Sequence, residues 1–290
     1  MTGASDAPTV SVVVVNWNTG PYLGRLLDSL SEHPSKLPYE VVVVDNGATD
    51  GSDLGAAGRS GVRVIRNRTN RGLAAANNQG MAASQGAYVL ICNPDVEVTS
   101  GAVDELVAAM ERHDRAAFVV PRLLRPDGSA QVSAGDLPTV TEALLGRTLG
   151  LRLAGRRGWW WPVSAHDHEQ EIGRGAEACY LVRRCAVDEI GGQDERFPLD
   201  WEGVEWTARA RDAGWQVWLA PEAEIVHTGG VSIGRAPLRW VWQSHQGMYR
   251  YFAPRLAPTA RYPLAAAIGV RALLKSAAVL VRLPVYRWSR

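Results

Sequence analysis

Gly86-Ala87-Tyr88-Val89-Leu90-Ile91-Cys92-Asn93-Pro94-Asp95-Val96-Glu97-Val98 is the stretch whose reading decides the fold. Tyr88 to Cys92 is a short apolar run of the length of a buried strand. It stops at Asn93-Pro94-Asp95, where proline cannot continue a central sheet ladder. A carboxylate is thereby delivered to the C-terminal edge of a strand, the edge at which open α/β sheets bind ligands. An isolated Asn-Pro-Asp is more often an ordinary turn. The other strand ends overturn that plain reading.

Upstream, Thr9 to Val15 is a near-continuous β-branched run of the kind buried on both faces of a sheet. Asn16-Trp17-Asn18-Thr19-Gly20-Pro21 ends it, and Leu23, Leu26, Leu27 and Leu30 then recur at helical spacing. Glu40 to Val44 is a second strand, closed by Asp45-Asn46-Gly47, and Val62 to Ile65 a third. Leu73 to Ser84 reads as a helix of small residues. Strand, polar turn and helix in alternation predict an α/β fold, a mostly parallel sheet flanked by helices. Asn16, Asn18, Asp45 and Asp95 should then converge on one sheet edge. Neither GxGxxG nor GxxxxGK[ST] occurs, so the usual dinucleotide and P-loop phosphate cradles are not supported.

Downstream, Gly101 to Arg112 reads as a helix and Ala117 to Leu124 as a strand. Arg125 to Glu171 is irregular and contains Trp159-Trp160-Trp161, which suits a functional loop touching an acceptor or, equally, packing or membrane anchoring. Order returns at Gly175 to Arg183 and in a short helix at Cys185 to Ile190. Asp200-Trp201-Glu202-Gly203-Val204-Glu205-Trp206 opens another helix. Acids there suit the helix dipole, so capping competes with chemistry as their explanation. His227 follows a last strand, where a metal or phosphate contact and a structural role are evenly matched.

A chain of 290 residues can hold one large domain with an appendage, and 21% charged and 46% hydrophobic residues are ordinary for a globular protein. Three cysteines without CxxC spacing make neither a disulfide framework nor a zinc site, so a reducing, cytoplasmic setting is expected. Met1 to Pro8 shows no basic or apolar leader. The net charge of +1 hides an asymmetry. No acid follows Glu224, whereas ten of the 31 basic residues do, leaving 21 against 30 acids before that point. Such a block points to an anionic partner.

In this order, four segments resemble the family 2 glycosyltransferases of GT-A fold, particularly their rhamnosyltransferase-like branch. They are Val12 to Asn18, Val44 to Ser52, Asn70 to Gly80 and Asn93-Pro94-Asp95, joined by a downstream match from Gly191 to Gly230. The resemblance implies inverting transfer of a sugar, best a deoxysugar such as rhamnose from a dTDP donor, to an acceptor hydroxyl. The acceptor would be a lipid-linked cell-envelope glycan or a natural-product aglycone. It further implies that Asp45 contacts the nucleotide base, with Asn16, Asn18, Arg71 and Asn77 helping to hold the nucleotide. Asn93 stands at the first place of the DxD-like motif. Asp95 would ligate Mg²⁺ or Mn²⁺, with His227 as a further metal or diphosphate ligand.

One position departs from the family. The usual Glu-Asp-Val-Asp is Glu202-Gly203-Val204-Glu205 here, and glycine cannot accept a proton. The expected base is therefore Glu202, with Asp200 second; a catalytically inactive, sugar-nucleotide-binding scaffold is the alternative.

The expected division is a GT-A domain over 1–234 and a C-terminal basic helical segment over 235–290. Arg271, Lys275 and Arg282 interrupt the apolar residues of Tyr262 to Leu283, which argues for an amphipathic helix on a membrane surface and against a span. So much apolar content does not suit a nucleic-acid-tracking arm. The enzyme is thus expected to be peripheral at the inner face of the cell membrane, with a homodimer left open.

Overall fold

The computed structural model describes residues 8–145, 158–197, 200–229 and 237–280. Eleven strands appear among them: β1 (Val10–Asn16), β2 (Tyr39–Asp45), β3 (Val62–Arg66), β4 (Tyr88–Cys92), β5 (Val96–Val98), β6 (Ala116–Leu124), β7 (Ala134–Gly135), β8 (Gln170–Glu171), β9 (Arg174–Gly175), β10 (Cys179–Arg183) and β11 (Gln216–His227). The helices are α1 (Tyr22–Glu32), α2 (Leu73–Ala83), α3 (Ala102–Arg112), α4 (Val140–Leu145), α5 (Arg184–Ile190), α6 (Glu202–Asp212), α7 (Pro237–Phe252) and α8 (Pro258–Leu280).

The main sheet runs β3-β2-β1-β4-β10-β6-β11-β5, with β8 beside β11. Its first four strands are parallel, as alternation of strand and helix requires. Beyond β4 the sheet is mixed, because β10 enters antiparallel between β4 and β6. Successive β1 side chains point to opposite faces. Val12 and Val14 therefore pack under α1 and α3 with Leu23, Leu26 and Leu106. Val13 packs on the other face with Met81 of α2 and Trp206 of α6. Burying each such aliphatic side chain contributes about 1.5–3 kcal/mol, and this explains why Val10 to Val15 carries no polar residue but Ser11.

The C-terminal helices are part of this body. Trp201, 1% exposed, packs with Phe197 and Val204 against Met248, Tyr251 and Phe252 of α7 and Leu264 and Ile268 of α8. The approach is close: a Cβ at Gly247 would lie 2.7 Å from Trp201. Trp159 also packs on Trp201, at 5.3 Å between ring centroids, and Trp161 is buried in the core. Two of the three loop tryptophans are therefore packing residues.

Helix α8 corrects one expectation. It has 23 residues, and mean hydropathy reaches 1.5 over an 18-residue window, so by length and composition it could cross a membrane. Its charges do not break an outer apolar face, because Arg271 and Lys275 are half-buried against α7. Arg271 meets His245 at 2.7 Å, and Lys275 lies over the Trp240 ring. Val270, Leu273, Leu274 and Leu280 are exposed instead. Arg282, Arg287 and Arg290 lie outside the described residues.

Candidate active site

Parallel pairing places the C-terminal ends of β1 and β2 side by side, and Asn16 pairs in register with Asp45. Asn16 is fully buried and donates to Asp45 Oδ1 and Ser52 Oγ, both at 3.0 Å. Its carbonyl oxygen accepts from Thr19 Oγ1 at 2.6 Å. Asp45 also accepts from the Ala48 amide. Asn18 sits at φ +54°, a left-handed conformation that asparagine tolerates, and accepts from the Thr49 amide at 2.7 Å. These residues form a rigid polar floor.

Asn46, not singled out in the sequence, binds the next turn to this floor. Its oxygen accepts from the Arg71 amide and Asn67, and its nitrogen donates to Asn70 and the Gly72 carbonyl. Arg71 is thereby held at the rim with its side chain exposed. Asn77 lies deeper, 3% exposed, and donates to Gln193 Oε1, while Gln193 Nε2 donates to the Tyr180 hydroxyl. In this structure the Asn77 amide ties α2 to the segment after α5.

Asp95 and His227 are 132 positions apart in the sequence and meet because β5 pairs antiparallel with the end of β11, Val96 opposite His227. The Thr228 amide donates to the Asp95 carbonyl. Gln131 Nε2 donates to the His227 carbonyl at 2.7 Å, so its Oε1 faces His227 Nδ1 at 3.0 Å. That pairing assigns the ring proton to Nδ1 and leaves Nε2 as a lone pair. Burial lowers the pKa of this imidazole, the Asp95 charge opposing it, which also favours the neutral ring. Nε2 stands 3.6 Å from Asp95 Oδ1.

A carboxylate facing an imidazole lone pair, the second ring nitrogen anchored, is a donor pair that fits a divalent cation. Among the described residues no cluster of three or more such ligands forms. Other oxygens would have to complete a coordination shell. Asn93 takes part through its backbone, donating to the Ala178 carbonyl at 2.8 Å.

That last bond sets a second group of acids beside the first. Glu177 precedes Ala178 and stands next to Arg174, at 3.5 Å. The Arg174 guanidinium is buried beneath the Trp160 ring, 4.1 Å away. Asp200 adopts φ +70° and accepts from Trp240 Nε1 of α7. Glu202, 2% exposed, turns back to accept from the Trp201 amide at 3.0 Å, closing the start of α6. Three acids thus surround one guanidinium, and they cannot all ionise cheaply in a dry site.

Burial pushes Glu177 up to about 7 and Asp200 up to about 6, with Arg174 opposing both shifts. Glu202 is pushed well above the carboxylate range, by burial first and then by Glu177 and Asp200.

Glu177 and Gln131 were not anticipated. Gln131 gives no local signal. Glu177 gives one: a carboxylate inside an apolar, strand-forming stretch, where acids are rarely buried without purpose.

The sequence profile of the Glycosyl transferase family 2 matches residues 11–166. An N-acetylglucosaminyl-diphospho-decaprenol L-rhamnosyltransferase of Mycobacterium tuberculosis is 33% identical over 275 residues, covering 87% of each chain. The low-salt glycan biosynthesis hexosyltransferase Agl10 of Haloferax volcanii is 25% identical over 75% of this chain and 66% of its own. Among solved structures, a Pyrobaculum calidifontis mannosyltransferase in complex with GDP-Man and Mn²⁺ superposes with a TM-score of 0.56 at 18% identity, over 97% of this chain and 76% of that one. GalNAc-T7 with UDP, GalNAc and Mn²⁺ gives 0.56 at 20% identity, over 77% and 44%. These structural likenesses establish the GT-A fold.

Proposed function

This chain belongs to the family 2 glycosyltransferases, and from that premise we propose that it transfers rhamnose, or a related deoxysugar, from a dTDP donor to a lipid-linked glycan. The observation that carries the reading is the facing of Asp95 and His227 at the edge where β1, β2 and β4 end. The similarity to a relative whose name gives L-rhamnose and a diphospho-decaprenol acceptor supports the choice of sugar and acceptor.

In this reading the floor of Asn16, Asp45 and Ser52 receives the nucleotide, with Asn18 and Arg71 at its rim. Asp95 and His227 would hold Mn²⁺ or Mg²⁺, which supplies charge neutralisation for a departing diphosphate. The acceptor oxygen attacks the anomeric carbon from the face opposite the diphosphate. As the new C–O bond forms, the bond to the diphosphate breaks and the nucleotide leaves with the electron pair. A carboxylate on the acceptor side takes the hydroxyl proton.

The same reading gives α8 a purpose. Its outer face of Val270, Leu273, Leu274 and Leu280 suits the interface of a bilayer, and the basic excess of the C-terminal part, Arg271 and Lys275 aside, suits anionic headgroups. Leu264 and Ile268 stay packed on the body, so the helix lies along the protein while it meets the membrane. An isoprenoid-borne acceptor at the cytoplasmic leaflet would be presented there.

The test is nucleoside diphosphate release by the purified full chain, with Mn²⁺ or Mg²⁺, across a panel of nucleotide sugars. A polyprenyl-diphosphate GlcNAc in vesicles serves as acceptor. Turnover with dTDP-rhamnose, abolished by EDTA, is expected. Release from another donor alone would correct the sugar. Donor binding without release from any donor would favour the inactive scaffold.

A further inference from the structure

Gly203 leaves a gap in the first turn of α6, and another residue fills it. A Cβ built on Gly203 would lie 2.6 Å from Glu177 Cγ, 2.7 Å from its Cδ and 3.0 Å from its Oε1. The Glu177 carboxyl thus occupies the space that a side chain at position 203 would take. The amides of Gly203 and Val204, donors without helical partners at the start of α6, are directed at it. We infer that Glu177, reaching across from the turn between β9 and β10 into the space left by Gly203, is the base that deprotonates the acceptor hydroxyl. This rests on the transferase reading above.

Three observations separate Glu177 from the two acids favoured by sequence. Its side chain retains 20% of its exposure, and it lines a small cleft with Gly203, Thr207 and Tyr180. Glu202 is sealed at 2% exposure with its carboxyl spent on the Trp201 amide. Asp200 is tied to Trp240. Glu177 also lies one residue from Ala178, whose carbonyl receives the Asn93 amide, so it flanks the turn that carries Asp95.

The groups facing Glu177 are Arg174 from β9, Asp200 and Glu202 at the start of α6, and Tyr180 from β10. Arg174 prevents Glu177 from being locked in the protonated form, while the neighbouring acids keep it basic. A base titrating at about 7 is matched to neutral conditions. In the reaction, the acceptor O–H bond breaks and its proton passes to Glu177. The oxygen's electron pair forms the bond to the anomeric carbon, and the diphosphate leaves with the former glycosidic pair. Water recovers the proton from Glu177 after product departs.

The decisive experiment moves the carboxylate from the β9–β10 turn to the helix. Wild type, Glu177→Gln, Glu177→Ala and the double variant Glu177→Ala with Gly203→Asp are assayed for transfer from the donor that supports wild-type turnover. Each is checked for folding by thermal melting. Glu177→Gln should lose about a hundred- to ten-thousandfold in kcat. The acid limb of the pH profile near 7 should disappear with it. Gly203→Asp in the Glu177→Ala background should recover at least tenfold over the single variant, because its carboxyl enters the vacated space. A folded Glu177→Gln protein within fivefold of wild type overturns the inference, as does a double variant no better than Glu177→Ala. Wild-type turnover is the reference, so an inactive wild type would refute the transferase reading itself and not this assignment alone.

Discussion

The donor floor and the acceptor-side acids stand at one sheet edge, yet they handle buried polarity in opposite ways. Around Asn16 every buried polar group meets a hydrogen-bond partner: Asp45, Ser52 and Thr19 exchange hydrogen bonds with one amide. Around Arg174, three acids share one positive charge, and two of them titrate near neutrality. The first arrangement is a fixed receptor, satisfied before any ligand arrives. The second stores a proton affinity that the fold itself resists, as is usual where acid–base work is done. On the proposed reading, the difference separates the part that binds from the part that reacts.

The largest expected effect breaks the donor side. Asp95→Ala should reduce transfer by about a thousandfold, since on the proposed reading a metal held there would supply several kcal/mol of charge stabilisation. Titration of dTDP in Mn²⁺ should show nucleotide binding weakened in parallel. Intact metal-dependent binding would remove Asp95 from the donor half.

A second effect sharpens the boundary between the halves. Trp201→Ala should destabilise the protein by about 3–5 kcal/mol, the range for removing a buried aromatic side chain. Urea unfolding measures it. A loss below about 1 kcal/mol would show that α7 and α8 are appended to the body and not part of its core.

The smallest effect concerns pH. Glu177 and Asp200 have folded-state pKa values raised above those of the unfolded chain. Folding therefore penalises their ionisation, and the penalty is absent below the ordinary carboxylate range. It grows as pH rises through about 6 to 7. The melting temperature should fall from pH 5 to pH 8, and Glu177→Gln should flatten the fall. Equal slopes in the two proteins would mean that Glu177 is not under electrostatic pressure.

Sequence reading placed Asn16, Asp45 and Asp95 together because their signals are local. Each polar group ends a short apolar strand, and parallel pairing alone brings Asn16, Asp45 and Asp95 to one edge. The acceptor half resisted because its members come from separate segments. Glu177 approaches Gly203 only once β10 has inserted between β4 and β6. From the sequence, Gly203 reads as a missing base and Glu202 as its neighbour; the fold shows Glu202 capping its own helix. The placement of the charges of α8 was hidden for a related reason. Spacing along the chain could not show that Arg271 and Lys275 turn inward to α7.

The measurement that bears most directly on this division of labour is calorimetric titration of dTDP with Mn²⁺ into Glu177→Gln, set beside its turnover. Affinity within about threefold of wild type, with turnover reduced at least about a hundredfold, is the expected result for a carboxylate that serves only proton transfer. Affinity lost in step with turnover would place Glu177 in the donor site and contradict the separation of the two halves.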